Sequence, residues 1–208
     1  MNTAKRGNTT YTLVALAMLS ALVVVLQLFS NLVTFGPVSF TLALVPIVIG
    51  ALVFGPAAGA LLGGVLGIVN LIATFKNPFL MVLFSASPFM YILVCVGKTV
   101  LAGLAAGFLY RLLAKKEKFE FVAVCAASLA TPVVNTGVFL LMMALFFRNA
   151  LTDAAVQVGM VENAAQIGSI WTFVMVSIIT WNFFIEFGVN AVLSVAIDRI
   201  VRAVRRNR

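Results

Sequence analysis

Histidine is absent from this 208-residue sequence, and cysteine occurs only twice. The absence of histidine removes the side chain that titrates near neutral pH and the commonest metal ligand, and it excludes a Ser-His-Asp catalytic site. Cys95 and Cys125 both lie inside apolar runs, which is typical of free buried thiols and not of a disulfide framework or a cysteine-built metal site. We therefore expect neither a metal centre nor another cofactor.

Charged residues are also scarce. They make up 10% of the chain, whereas 63% of its residues are hydrophobic. An ordinary soluble domain has about 25% charged residues. A soluble fold of this length could not cover so much apolar area with polar surface. The composition therefore predicts a protein that lies in a lipid bilayer.

Six apolar segments fit transmembrane helices, each of which needs about 20 residues. The segments are residues 11–30, 42–54, 57–75, 88–113, 121–147 and 169–197. Gly55-Pro56 separates the short second segment from the third, and Pro132 predicts a kink in the fifth. We expect an all-α membrane protein in which residues 1–208 form one domain of six transmembrane helices. Residues 79–87 fit either a loop helix or part of the fourth span, and residues 148–168 fit a polar loop.

The basic residues indicate how these spans are oriented. The chain has 14 Lys and Arg against 6 Asp and Glu, which gives a net charge of +8. Six spans put both termini on one side of the membrane, and most basic residues lie on that side: Lys5, Arg6, Arg111, Lys115, Lys116, Lys118, Arg199, Arg202, Arg205, Arg206 and Arg208. Because cytoplasmic loops carry the excess of Lys and Arg, we expect both termini in the cytoplasm. The positive charge is then a signal of orientation, and no nucleic-acid partner is expected.

Small residues recur at four-residue spacing, which keeps them on one face of a helix. Ala17 and Ala21 form such a pair in the first span. The third and fourth spans carry glycine rows: Gly59, Gly63 and Gly67, then Gly103 and Gly107. Missing side chains let another helix approach closely. These rows fit packing within the chain, which is the commoner use, or docking onto another membrane protein.

Two charged residues, Lys98 and Glu186, lie well inside the predicted spans, away from the span ends where Arg111 lies. A charge there is costly unless it is paired or faces a cavity, so each is a candidate functional residue. Glu186 belongs to a stripe on the sixth span with Asn182, Asn190 and Ser194, all spaced by four residues. The alternative is an internal ion pair between Lys98 and Glu186 that only ties two helices together.

Two further spans carry polar faces. Thr131 and Asn135 flank the proline of the fifth span, and the fourth span has four polar or ionisable residues near one face: Ser87, Tyr91, Cys95 and Lys98. Trp181 adjoins Asn182, with Phe183 beside it and Trp171 nearer the outer loop. Aromatic walls with a few convergent polar groups are typical of small-ligand sites. We expect the three helices to enclose a pocket for a small polar molecule.

Gly97-Lys98-Thr99 resembles the end of a phosphate-binding loop. That motif requires a glycine five residues before Gly97, where this sequence has Ile92. The segment also lies within a predicted span. We therefore expect no ATPase activity in this chain.

The whole arrangement resembles the substrate-binding S components of energy-coupling factor (ECF) transporters. The features that carry the resemblance are a basic N-terminus, the Ala17-x-x-x-Ala21 pair, a turn-rich outer loop, the passage from Val45 to Gly64, and Trp181-Asn182-x-x-x-Glu186. The resemblance covers nearly the whole chain. It implies a six-helix, multi-pass protein of a prokaryotic cytoplasmic membrane that captures a water-soluble vitamin or related micronutrient and is not an enzyme.

The same resemblance implies partners and contact residues. S components associate with a transmembrane T component and two cytoplasmic ATPases, and the T component would contact Ala17 and Ala21. The loop from Asn31 to Thr41 would cap the ligand. Ligand contacts would come from Asn135, Asn182 and Glu186. The polar and aromatic faces described above, independently of the resemblance, indicate three further candidate substrate contacts: Lys98, Trp181 and Tyr91.

The substrate is left open by the residues. Lys98 can balance an anionic group and Glu186 can accept from an amine or hydroxyl, which fits pantothenate, our first choice, or a pyridoxine-like or other vitamin. One alternative is a self-contained secondary transporter or channel that uses Lys98 and Glu186, although the sequence shows no internal repeat. A second is an intramembrane enzyme with Glu186 as general acid or base, for which no second catalytic group is evident.

Overall fold

A computed structural model describes residues 3–32, 34–35, 38–39, 41–114, 119–157, 159 and 179–206. Helices form nearly all of this part of the chain: α1 (Thr3–Leu32), α2 (Leu44–Phe54), α3 (Pro56–Thr74), α4 (Pro78–Ala86), α5 (Pro88–Leu113), α6 (Glu120–Phe146), α7 (Arg148–Gln157) and α8 (Ile179–Arg206). Two-residue strands, β1 (Thr34–Phe35) and β2 (Val38–Ser39), pair antiparallel between α1 and α2. The prediction of an all-helical fold is confirmed for the described residues, apart from this small strand pair.

Four of these helices are long and apolar enough to cross a membrane, namely α1 from Thr9 onward, α3, α5 and α6. α2 is apolar but has only 11 residues. The sixth predicted span begins at Ser169, and that start, like Trp171, lies outside the described residues. A multi-pass membrane protein is therefore supported. Six spans, one domain over residues 1–208 and cytoplasmic termini stay predictions.

The turn between α2 and α3 requires glycine. Gly55 has a φ of 101°, in the left-handed region that L side chains rarely adopt. A Cβ atom at this position would also meet the guanidinium group of Arg111 on α5. Pro56 then begins α3, where its missing N–H leaves no hydrogen bond unmade. The glycine-proline break predicted from sequence is confirmed.

α4 and α7 lie together at the end of the bundle where α1, α3 and α6 finish. The charge pattern predicts that this end faces outward, and we call it the outer end. α4 is a separate helix because Asn77 caps its first turn, accepting from the backbone N–H of Leu80 at 3.3 Å, and because Pro88 restarts the chain as α5. This settles the open interpretation of residues 79–87.

α7 replaces the first part of the polar loop that we expected at residues 148–168. Leu151, Ala154 and Ala155 are buried, and their spacing places them on one helix face. Leu151 and Ala154 pack into an apolar cluster with Phe79, Leu83 and other residues of the outer end. A short helix forms here because alanine-rich sequence favours helix and one face finds an apolar surface to cover.

The glycine rows bring α3 and α5 into close contact. A Cβ atom at Gly59 would overlap the backbone of Gly103, and one at Gly63 would overlap the backbone of Thr99. A Cβ atom at Gly67 would likewise meet the α5 backbone. These glycines therefore serve helix packing within the chain, which was the commoner of the two uses considered.

α2 lies at the centre of the bundle, in contact with α1, α3, α5, α6 and α8. Its buried residues cover most of its circumference: Leu44, Pro46, Ile47, Val48, Gly50, Ala51 and Leu52. A helix that is apolar all round is stable only where apolar surroundings cover it, and here other helices do so. The segment that leads into α2 is thereby held inside the outer end of the bundle.

α8 packs against α6 and α2. Towards its C-terminal end, Ile197 and Val201 join an apolar cluster with Val48 and Val124. Glu186 precedes Ile197 by three helical turns and so lies near the same face. Burial of the apolar C-terminal part thus turns Glu186 towards the bundle interior.

Candidate functional site

Glu186 is the side chain around which other buried polar groups gather. It is only 5% exposed, and its two carboxylate oxygens have different partners. Oε1 accepts a 2.9 Å hydrogen bond from the backbone N–H of Thr41. Oε2 accepts a longer, 3.5 Å bond from Nδ2 of Asn135. α6, α8 and the segment before α2 therefore meet at one carboxylate.

Asn135 presents an unused acceptor at this site. Because a carboxylate oxygen only accepts, Nδ2 of Asn135 must face Glu186, and this fixes the orientation of the amide. Its Oδ1 atom is buried and has no hydrogen-bond partner among the described residues. Leaving such an acceptor without a donor costs about 1–3 kcal/mol. The Glu186 carboxylate and this oxygen together suit a ligand that donates from a hydroxyl, amine or amide N–H.

The polar stripe of α8 faces inward, as its spacing predicts. Glu186, Asn190 and Ser194 are all buried, and Nδ2 of Asn190 donates to the backbone carbonyl of Glu186 at 2.9 Å. Oδ1 of Asn190 has no partner within the described part of the chain. Asn182 and Trp181 belong to α8, but their side chains lie outside the described residues. Their predicted contacts with a substrate therefore stay predictions.

Lys98 reaches the same region from α5. Its Nζ atom lies 4.6 Å from the centroid of the Phe139 ring, within the range of a cation–π interaction. Phe139 follows Asn135 by one turn of α6, so the ammonium group lies over the α6 face that carries Asn135. Among the described residues Lys98 and Glu186 form no ion pair. The site therefore holds an acceptor group and a cation that do not neutralise each other by direct contact.

These side chains lie in the outer half of the bundle. Asn135 lies about 16 Å from the outer end of α6, and Lys98 about 15 Å from the outer end of α5, at 1.5 Å per residue. The hydrogen bond to Thr41 links Glu186 to the loop at the same end. With the orientation that the charge pattern predicts, a solute from outside would meet this site before the inner half of the bundle.

Tyr91 lies apart from this hydrogen-bonded group, two turns of α5 nearer the outer end than Lys98. Its ring packs edge-on against Phe84 and Phe147, with centroids 5.9 and 6.2 Å away. Its hydroxyl shares a 3.0 Å hydrogen bond with that of Thr74. The structure thus accounts for Tyr91 as part of the apolar cluster at the outer end, and its contact with a substrate stays a prediction.

Neither the side chain of Gln27 nor the backbone N–H of Thr41 was singled out from the sequence. Thr41 donates its backbone N–H to Glu186, and the sequence marked it only as the last residue of the loop from Asn31 to Thr41. Gln27 on α1 is 1% exposed, and its Oε1 atom has no partner among the described residues. A glutamine within an apolar first span was a signal that the sequence did contain.

Ala17 and Ala21 lie on the outward face of α1. Both side chains are exposed, and large apolar neighbours on the same helix are exposed as well: Leu13 at 64%, Met18 at 69% and Leu28 at 54%. α1 packs mainly against α2 and α3, so most of its surface is left for lipid or another protein. The small-residue pair is available for docking, unlike the glycine rows of α3 and α5.

Comparison with known families supplies independent evidence. The family model described as ECF transporter, substrate-specific component, matches residues 11–197. A comparison with curated proteins gave no significant match. The matched range contains the exposed alanine pair, the loop before α2 and every polar residue described at the site.

Proposed function

The chain belongs to the substrate-specific components of ECF transporters, and from this we propose that it binds a water-soluble vitamin, with pantothenate as the first candidate, at Glu186 and Asn135. Proteins of this family are substrate-binding subunits of membrane transporters and not enzymes. The observation that supports the proposal is the buried acceptor pair, Glu186 with the Oδ1 atom of Asn135 that has no partner in the part of the chain that the structure describes. It lies in the half of the bundle that the charge pattern predicts to face outward, where an importer must capture its substrate.

Pantothenate suits the charges of the site. It has a carboxylate at one end and two hydroxyl groups at the other, with an amide between them. Lys98 offers a cation for the carboxylate. Glu186 and Asn135 offer acceptors for the hydroxyl protons. A pyridoxine-like compound would use the same acceptors but has no carboxylate for Lys98, which is why we rank it second.

The partners that we propose follow from the family. S components work with a transmembrane T component and two cytoplasmic ATPase subunits, and we assign the T-component contact to the exposed Ala17 and Ala21. Small side chains on an exposed helix face let a partner helix approach closely. The complex would lie in the cytoplasmic membrane of a prokaryote, and energy would come from the partner ATPases.

Calorimetry on the purified chain in detergent tests the substrate, with pantothenate first in a panel of water-soluble vitamins. Mass spectrometry of small molecules that co-purify with the chain provides a second, unbiased readout. We expect saturable binding of pantothenate and retention of the same compound during purification. Absence of binding across the whole panel would contradict the proposed function, and tight binding of another vitamin would replace pantothenate.

Asn135→Ala is the variant that tests the site. We expect its affinity for pantothenate to fall by roughly tenfold or more. The variant lacks the amide that donates to the Glu186 carboxylate and that offers an acceptor oxygen to a substrate hydroxyl. Asn149→Ala is the matched control, since Asn149 is an exposed residue of α7. Equal affinities of the two variants would place the site elsewhere. Uptake by liposomes that contain only this chain would instead favour a self-contained transporter.

A further inference from the structure

The loop between α1 and α2 is held firmly where it enters α2. The backbone N–H of Thr41 donates to Oε1 of Glu186 at 2.9 Å, and that of Leu42 donates to the hydroxyl oxygen of Ser30 at 3.2 Å. The Ser30 hydroxyl in turn donates to the carbonyl of Leu26 at 2.8 Å. Two successive backbone N–H groups are thus bonded to two different helices.

The residues that follow are fixed by packing as well. Ala43 and Leu44 are completely buried in an apolar cluster with Val23 of α1 and Leu62 of α3. Thr41 itself is only 7% exposed. A segment with buried apolar side chains and internal hydrogen bonds opens rarely compared with exposed loop residues. The end of the loop that leads into α2 is therefore held in one position by burial and hydrogen bonds.

We propose that Glu186 is a positioning residue that anchors the outer loop at Thr41, in addition to facing the substrate. Oε1 holds the loop, and Oε2 belongs to the acceptor pair with Asn135. A hydrogen bond to a carboxylate is strong where water is excluded. The anchoring stands on geometry alone, whereas its effect on substrate release rests on the proposed function.

The two oxygens share one rigid group, which couples the loop to the substrate. Each carboxylate oxygen has two acceptor directions, so a substrate hydroxyl can bind at Oε2 while Thr41 stays bonded at Oε1. A substrate that donates a hydrogen bond to Oε2 also fixes the orientation of the carboxylate, and this keeps Oε1 in place to accept from the N–H of Thr41. Loss of the anchor should consequently speed substrate release.

Amide hydrogen exchange on the ligand-free chain in lipid nanodiscs tests the anchor. We expect Glu186→Ala to raise the exchange rate at Thr41 by about tenfold or more. Glu186→Gln keeps an oxygen at the same reach and should hold the rise below about threefold, because its amide oxygen still accepts from the N–H. Ser30→Ala should raise exchange at Leu42 and leave Thr41 nearly unchanged. Unchanged exchange at Thr41 in Glu186→Ala, or equal exchange in the Ala and Gln variants, would overturn the proposal.

Thr41→Pro provides a second route if Glu186→Ala fails to fold. Proline removes the N–H donor and leaves the carboxylate in place. With radiolabelled pantothenate as the probe, we expect it to dissociate at least about threefold faster from Thr41→Pro than from Thr41→Ala, which keeps the N–H. Equal dissociation rates would contradict the coupling. If the unaltered chain binds no pantothenate, the substrate assignment fails, while the exchange measurement still decides whether the anchor exists.

Discussion

A buried 2.9 Å hydrogen bond joins the backbone N–H of Thr41 to the carboxylate of Glu186, although 145 residues separate them in the sequence. It brings the segment before the central helix α2 against the last helix of the bundle. Asn135 completes the group from α6. The candidate site is thus assembled from three distant parts of the chain, and its best-placed donor is a backbone group.

Lys98→Met should weaken binding of anionic substrate selectively. We expect the affinity for pantothenate to fall by roughly tenfold or more, because the cation that faces its carboxylate is lost. Affinity for pantothenol, which has an alcohol in place of the carboxylate, should change by less than about twofold by the same reasoning. Calorimetry with both compounds on both proteins gives the comparison.

Lys76→Met serves as the control for this prediction, because Lys76 is an exposed lysine at the outer end. It should leave both affinities unchanged. If Lys98→Met lowers the affinity for pantothenol as much as the affinity for pantothenate, Lys98 does not bind the carboxylate, and its role is structural.

Gly63→Ala should destabilise the bundle. The added methyl group would overlap the backbone of Thr99 on α5, and overpacking of this kind costs about 1–3 kcal/mol. Gly64→Ala is the matched control, since the nearest atom to its Cβ would be Cγ2 of Val100 at 3.9 Å. Thermal unfolding in detergent should show a lower midpoint for Gly63→Ala only. A midpoint equal to that of Gly64→Ala would mean that α3 and α5 are further apart than described.

Replacing Ala17 and Ala21 together with phenylalanine should block uptake and preserve substrate binding. Both side chains are exposed, so the change adds bulk to the outward face of α1 without disturbing the core. Uptake by cells that express the complete transporter and calorimetry on the isolated chain give the two readouts. We expect uptake to be nearly abolished and the affinity to stay within about twofold, since the core contacts are untouched.

Leu22→Phe is the control on the same helix. Leu22 is 43% exposed and lies about 100° around the helix from Ala21. It should support normal uptake. Loss of binding in the alanine double variant would show that these alanines serve internal packing instead.

Tyr91→Phe should affect stability more than binding. The variant removes a buried hydroxyl and its 3.0 Å hydrogen bond with Thr74, which costs roughly 1 kcal/mol, while the Thr74 hydroxyl still donates to the backbone carbonyl of Asn70 at 3.1 Å. We expect a lower thermal midpoint and little change in the affinity for pantothenate. A marked loss of affinity with an unchanged midpoint would support Tyr91 as a direct substrate contact.

Five helices, namely α1, α2, α3, α5 and α6, were predictable because each depends on local sequence. Apolar runs of the required length, together with breaks at Gly55-Pro56 and Pro88, are properties of neighbouring residues. The prediction was wrong for the first part of residues 148–168, where α7 forms. That helix is stabilised by burial of Leu151 and Ala154 against α4 and other residues of the outer end, which no local pattern reveals.

The glycine rows show a similar limit. Four-residue spacing placed Gly59 and Gly63 on one face, but it did not say which surface would cover that face. α5 approaches them so closely that a Cβ atom has no space. Ala17 and Ala21 have the same spacing and stay exposed, because α1 packs at the edge of the bundle.

By itself, the sequence determined the membrane environment, the helical class and the few polar residues worth attention. The scarcity of charge and the absence of histidine left Lys98 and Glu186 as the exceptional groups within the spans. Tertiary structure alone decided how they are used. Glu186 is bonded to Thr41 and Asn135, not to Lys98, because helix packing sets which side chains meet, and the decisive donor belongs to a backbone that carries no sequence signature.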